Sequence, residues 1–113
     1  MAYYLVQAKP IPEFVDELKG ILKNGEIRVM RPFGQALHDA LENARLQDNG
    51  FAIWEEEDYC TPPLAQERVA VLNNFFEKLS VERVEKGTGW KQIRELPLLW
   101  TELEMLQRDP AAT

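Results

Sequence analysis

The chain has 113 residues, 45% of them hydrophobic, and carries a formal net charge of −6 at pH 7. This length and apolar content suit one globular domain with its own core, and they exclude a disordered chain. A nucleic-acid or membrane-surface protein needs a basic face to meet phosphates or anionic lipids. The 13 basic residues against 19 acidic ones argue against both functions.

Cysteine content and the N-terminus bear on the compartment. The single cysteine, Cys60, cannot form an intramolecular disulfide, which is typical of a reducing environment. Residues 1–10 lack the basic region and the long apolar run of a signal peptide, and no stretch reaches the roughly 20 apolar residues that span a bilayer. We therefore expect a soluble cytoplasmic protein.

The first predicted elements follow clear hydrophobic periods. Apolar and aromatic residues over 2–8 predict a strand, which two prolines end. Apolar residues at helical spacing over 12–23 predict a helix, which an Asn-Gly pair closes. Residues 26–32 predict a second strand, because Ile27 and Val29 alternate with charged residues.

The second half of the chain continues with helix and strand patterns. Residues 33–50 predict a second helix, 51–59 a third strand, and 64–79 a third helix with a wide apolar face. Residues 79–87 predict a fourth strand. Leucine and tryptophan at helical spacing over 96–106 predict a short C-terminal helix.

The alternation of strands and helices formally suggests a parallel sheet, but buried parallel strands should be nearly all apolar. The second strand carries Arg28 and Arg31, and the fourth reads LSVERVE. We therefore predict an α+β two-layer sandwich, a ferredoxin-like βαβ-α-βαβ arrangement with the second helix inserted between its halves. It would form one domain over 1–86, followed by a loop and a C-terminal helical tail over 87–113. The alternative is an α/β three-layer parallel sheet.

Four consecutive acids, residues 55–58, follow Trp54 on the third strand. Because side chains alternate across a strand, Glu56 and Asp58 share a face with Trp54, and the other two acids share the opposite face. One metal ion could then take only two of the four carboxylates, so Glu56 and Asp58 are the metal candidates. The simpler expectation is that the strand leaves the core after Trp54 and places its acids in solvent.

The candidate catalytic residues are Cys60, His38 and Asp58. Cys60 lies just before a helix start, which can activate a thiol, but the four nearby carboxylates oppose a second anion. His38, the only histidine, flanks the apolar face of the second helix, where we expect it to be exposed or half-exposed. A Cys60–His38 pair would require the two side chains to meet in space. We predict no catalytic constellation and no cofactor.

The glycine loop at 87–89 does not indicate a nucleotide site. Its GTG sequence lacks the third glycine of a dinucleotide fingerprint, and the chain has no P-loop motif. Arg31, at the start of the second helix, is the candidate for contact with a small anion.

The C-terminal tail is rich in large apolar side chains. It must pack on its own domain, on a second copy or on a partner, because so much apolar surface is unfavourable in water. The predicted interface residues are Trp90, Leu96, Leu99, Trp100 and Leu103.

Two functional hypotheses follow. In the first, the protein is a non-catalytic binding or assembly module that acts as a homo-oligomer or as an accessory subunit. In the second, it is a small enzyme or a ligand- or metal-binding protein. Its pocket would lie around Asp58 and Cys60, where the third strand meets the third helix. Neither hypothesis involves a nucleic acid or a membrane.

Overall fold

The computed structural model describes residues 2–107, and a four-stranded antiparallel sheet lies at the centre of this part of the chain. The strand order is β2-β3-β1-β4. In chain order the strands are β1 Ala2–Pro10, β2 Arg45–Leu46, β3 Ala52–Asp58 and β4 Phe76–Val84. The central strands β1 and β3 pair along their length, from Ala2 opposite Asp58 to Ala8 opposite Ala52.

Within residues 2–107, five helices accompany the sheet, and the chain is an α+β protein. None of the helices in this described range is both long and apolar enough to cross a membrane. α3 is built from three continuous segments, the middle one π-helical. The three segments of α3 are Ala65–Glu67, Arg68–Leu72 and Asn73–Phe75. The other helices are α1 Val15–Lys23, α2 Gly34–Glu42, α4 Thr88–Ile93 and α5 Leu99–Gln107. A 3-10 turn, Pro12–Phe14, precedes α1.

Both faces of the sheet carry packed side chains. The main core joins one face to α1, α2 and α3, and Trp54 of β3 and Leu37 of α2 are fully buried in it. On the opposite face, Leu5 and Ile53 pack with Ile93 of α4. β3 therefore has helices on both sides.

The chain after α4 packs against β2. The Leu46 amide donates to the Pro97 carbonyl at 2.9 Å, and the Leu99 amide donates to the Ala44 carbonyl at 2.8 Å. An extended segment thus covers the outer edge of β2, and α5 follows where a C-terminal helix was predicted. Residues 108–113 of the predicted tail lie outside the described residues.

The predicted second strand is wrong. Residues 24–33 form turns and a bend, in which Ile27 is fully buried while Val29 is 68% exposed. A side chain at Gly34 would overlap the carbonyl oxygens of Ile27 and Arg28. This glycine therefore lets the turn pack directly on the first turn of α2, and that packing overrides the local strand pattern.

The element order is β1-α1-α2-β2-β3-α3-β4-α4-α5, not the predicted strict alternation. α2 belongs to the first crossover and is not an insertion between two halves. The alternative, a parallel three-layer sheet, is wrong because every strand pair is antiparallel. The third predicted helix also ends early, because the chain is already extended at Phe76, where β4 begins.

Candidate functional site

Three of the four consecutive acids on β3 are buried, contrary to prediction. Glu55, Glu56 and Asp58 are 5%, 2% and 4% exposed, and only Glu57 is partly exposed. The expectation that the strand leaves the core after Trp54 is therefore wrong. The physical reason is that α2 contacts β3 on one side and α4 on the other, so the acidic run stays inside the fold.

The acids alternate across the strand as predicted, and Glu55 proves to be a structural carboxylate. It accepts hydrogen bonds from the backbone amides of Gly87 (2.9 Å), Gly89 (2.8 Å) and Trp90 (3.4 Å) at the start of α4. Gly87 has φ +84°, and a Cβ at Gly89 would lie 2.9 Å from Glu55 Oε1. Both glycines let the loop wrap round the carboxylate, so the anion that GTG binds is the protein's own Glu55.

Asp58 shapes the loop between β3 and α3. Its Oδ2 accepts hydrogen bonds from the Cys60 amide at 3.1 Å and from the Leu64 amide at 2.5 Å. Leu64 has a left-handed backbone with φ +64°, a conformation that non-glycine residues rarely adopt without such support. These bonds bring Cys60 and the first turn of α3 back towards the end of β3.

Four side chains meet at this point and form what we call the acid–thiol cluster: Glu56, Asp58, Cys60 and Glu67. Trp54 Nε1 donates to Glu56 Oε1 at 2.9 Å, and the Cys60 thiol donates to Glu67 Oε1 at 3.7 Å. Asp58, Cys60 and Glu67 each place one potential ligand atom within 4.8 Å of the other two. Oε2 of Glu56 and Oε2 of Glu67 are buried, and no hydrogen-bond donor among the described residues reaches either atom.

Burial and mutual repulsion favour protonated carboxyls in the cluster. Burial raises the pKa of Glu56 well above its usual range, and the hydrogen bond from Trp54 offsets this only in part. Burial, and then the hydrogen bond shared with Asp58, raise the pKa of Glu67 to about 7. Burial opposes the charge of Asp58, but hydrogen bonds from Glu67 and from two backbone amides outweigh it and lower its pKa. Asp58 is thus the anionic member of the pair, and Glu67 holds the proton.

The Cys60 thiol is held in its neutral form. A hydrogen bond from the Gln66 backbone lowers its pKa, but burial and the charges of Asp58 and Glu67 outweigh it and raise the pKa overall. A thiol in this state is a poor nucleophile, so the cluster alone does not activate Cys60.

Three members of the acid–thiol cluster face a cleft of about 530 Å³, which is lined by α2 and the turn before it, by the end of β3 and the loop after it, and by α3. Asp58, Cys60 and Glu67 belong to its lining, together with the apolar side chains of Pro32 and Phe33. Among the described residues that line the cleft, none is a lysine, an arginine or a histidine. The charge of the cleft therefore favours a cation.

His38 is buried at 2% exposure, so its predicted exposure is wrong. Its Nε2 lies 2.8 Å from Arg28 Nη2 and 3.1 Å from Glu42 Oε1. The Cys60 thiol contacts Glu67 instead, and the Cys60–His38 pair is not formed. His38 joins α2 to the turn that precedes it, since Arg28 belongs to that turn.

Arg31, the candidate for anion contact, is exposed and donates to the carbonyl oxygens of Arg28 and Met30 at 3.3 Å each. Its guanidinium thus contacts its own turn, and binding of an external anion stays a prediction.

The predicted interface residues cover the core of their own chain. Leu99 is fully buried, and Trp90, Leu96, Trp100 and Leu103 are half-buried. The Trp100 indole also donates to a backbone carbonyl of α2 at 2.8 Å. An interface role for these five side chains stays a prediction.

Sequence reasoning missed Glu67, the most deeply buried member of the cluster, with no exposed surface. A signal was present, because Leu64, Glu67 and Val71 are spaced at i, i+3 and i+7 along the third predicted helix. An acid within such an apolar stripe indicates a buried carboxyl.

Comparison of the chain with protein-family models, curated proteins and solved structures finds no match.

Proposed function

We propose that the protein binds a divalent transition-metal ion through Asp58, Cys60 and Glu67, and that zinc fits these ligands best. The observation that carries the proposal is the pair of buried carboxylate oxygens, on Glu56 and Glu67, that no donor reaches in the described residues. Asp58 carries a buried negative charge, and Glu56 and Glu67 hold protons in the metal-free fold; a metal ion would replace protons and would partner several carboxylates at once. This is the second of the two sequence hypotheses, with Glu67 added to its residues.

The donor atoms favour zinc over calcium or magnesium. Calcium and magnesium prefer oxygen ligands alone, whereas zinc also takes cysteine sulfur. Sulfur and oxygen ligands on a tetrahedral zinc ion stand about 3.5 Å apart. The Cys60 Sγ and Glu67 Oε1 atoms lie 3.7 Å apart, which is close to that requirement.

The site would combine three protein ligands with access from the cleft. Zinc sites with three protein ligands keep a further position for water or a small molecule, whereas structural zinc sites are closed by four. Bound zinc would supply a Lewis acid at that position. Glu56, which is held by Trp54 and lies beside Glu67 in the cluster, would help to orient the Glu67 ligand.

Isothermal titration calorimetry with zinc chloride and with magnesium chloride on the chelator-treated protein tests the proposal. We expect one zinc ion per chain, weak magnesium binding, and at least a tenfold loss of zinc affinity in Glu67→Gln and in Cys60→Ser. Glu57→Gln is the matched control, because Glu57 accepts hydrogen bonds from Tyr3 and Tyr59 outside the cluster. Equal zinc affinity in wild type and Glu67→Gln would overturn the proposal.

The finer classification of the fold and the compartment are also proposals. The order β4-β1-β3-β2, with all pairs antiparallel and helices in both crossovers, supports a ferredoxin-like plait. An experimental structure with a left-handed crossover would contradict it. The free thiol of Cys60 supports a reducing compartment such as the cytoplasm, which cell fractionation would test.

A further inference from the structure

The outer edge of β3 is only partly paired. β2 pairs with β3 through Arg45 opposite Ile53 and Leu46 opposite Ala52, and no further. Over residues 54–58, β3 has β1 on one side and no strand of the described chain on the other. The extended segment before α5 covers β2 but does not continue along β3.

A continuous groove follows this unpaired edge. One cavity of about 580 Å³ lies towards β2, and the cleft of about 530 Å³ lies towards the acid–thiol cluster. The two cavities share Ala36 and Glu57 in their linings, so they adjoin. One face of α2 forms a wall of the first cavity through Ala36, Asp39 and Ala40, and Asn43 follows directly after the helix. The two alanines leave room beside the strand.

We propose that this groove receives an extended segment of a partner protein, about five residues long, which adds to β3 as a further strand. Strand addition uses the backbone donors and acceptors of an exposed edge for affinity and the neighbouring pockets for specificity. The length follows from the unpaired residues 54–58. The chain already uses this mode internally, since Leu46 receives an extended segment of the same chain at its outer edge.

Charge in the groove sets the chemistry of the segment. Arg45 and Arg94 line the end near β2; Arg45 Nη1 donates to the carbonyl oxygens of Arg94 and Leu96, and Arg45 Nε is buried with no partner in residues 2–107. The opposite end reaches Asp58 and Glu67. The segment should therefore carry an acidic side chain at the Arg45 end and none at the cluster end, since like charges would repel there.

The side chains of the acidic run do not shield the edge. Exposed edges are commonly protected by charged side chains in solvent. Glu55 and Glu56 instead turn to partners inside the fold. The backbone of residues 54–58 is thus left for a partner, while the edge strand β4 carries a backbone irregularity and the exposed charges Glu82 and Arg83.

The test is selection of a random decapeptide phage library on the wild-type protein, in the presence of a chelator so that the outcome does not depend on bound metal. Ala36→Trp should block the groove, because Ala36 is exposed and lines both cavities. Glu17→Trp, on the exposed face of α1, is the matched control. We expect selected peptides with an acidic residue near one end that bind wild type and Glu17→Trp equally and Ala36→Trp at least tenfold more weakly.

A second readout does not depend on any variant. Synthetic selected peptide should slow amide hydrogen exchange in residues 54–58 of the wild-type protein, measured by NMR, and leave β4 unchanged. Three results would overturn the proposal: no peptide enriched, peptides that bind Ala36→Trp as well as wild type, or protection confined to β4. A dimer in sedimentation equilibrium that Ala36→Trp dissociates would assign the groove to a second copy and also overturn it.

Discussion

Glu55 and Glu56 are neighbours in sequence and both are buried, but the hydrogen-bond donors around their carboxyls differ. Glu55 lies on the α4 side of the sheet, where three backbone amides donate to its carboxylate. Glu56 lies on the main-core side, where one indole N–H donates to Oε1 and no described donor reaches Oε2. The burial of the two side chains differs by only a few per cent.

The difference separates two uses of a buried carboxyl. Where backbone donors surround the carboxylate, its charge is satisfied and its function is complete once the loop is formed. Where other acids surround a buried carboxyl, that carboxyl must hold a proton or bind a cation. Glu55 therefore stabilises the start of α4, whereas Glu56 and Glu67 stay buried by holding protons beside Asp58, and this is the group of side chains for which we propose a metal ion.

The largest expected effect comes from replacing each neighbour by its neutral isostere. Glu55→Gln should cost about 3 kcal/mol of unfolding free energy, because it removes a charged acceptor from buried amides. Glu56→Gln should cost less than about 0.5 kcal/mol or should stabilise, since that carboxyl is protonated in the fold. Urea denaturation at neutral pH measures both variants. Equal losses would show that the two sites do not differ in the way described.

The pH dependence of stability is the next largest effect. The pKa of Glu67 is raised to about 7, so the folded state binds a proton that the unfolded state has already released. Stability is then fully present below the ordinary glutamate pKa, near 4.5, and is lost as pH rises towards 7. We expect Glu67 alone to lower the stability of the metal-free protein by about 2 kcal/mol between about pH 5 and pH 7, and Glu56, whose pKa is also raised, to add a loss of the same sign.

Glu67→Gln supplies the control for this pH dependence. The amide does not titrate, so the loss over the same interval should fall by the contribution of Glu67, about 2 kcal/mol, and the pH dependence that is left belongs to Glu56. Asp58, whose pKa is lowered, contributes its own pH dependence only in more acidic solution. A variant that keeps the full wild-type slope would assign the titration to another group and would weaken the view that the main-core acids share a proton.

The sequence predicted the local features of this region well. Alternation across a strand placed Glu56 and Asp58 on the face of Trp54, because that rule depends only on neighbouring residues. It could not show that these acids are buried. The burial of Glu56 and Asp58 depends on α2 and on Glu67, and that of Glu55 depends on α4, where the bond from Gly89 to Glu55 joins residues 34 positions apart.

The failure of the second predicted strand has a similar cause. Ile27 and Val29 alternate with polar residues, which is the local signal for a strand. The actual structure is decided by the packing of this turn on Gly34, which lies beyond the end of the predicted strand. The alternation of strands and helices followed from this error. The α+β class rested on the charges of the second and fourth predicted strands, and it is correct although the second strand does not form.

The smallest expected effect comes from replacing Gly89, the glycine that faces Glu55. A Cβ at Gly89 would lie 2.9 Å from Glu55 Oε1 and 3.2 Å from a methyl group of Leu5. Gly89→Ala should therefore cost about 1 kcal/mol, because the carboxylate must shift away from its amide donors. Gly20→Ala is the matched control, since Gly20 lies inside α1 with nothing within 4 Å of the added carbon. It should stabilise the protein by about 0.5 kcal/mol. Thermal denaturation of both variants gives the comparison, and a stabilising Gly89→Ala would mean that Glu55 does not depend on the close approach of this loop.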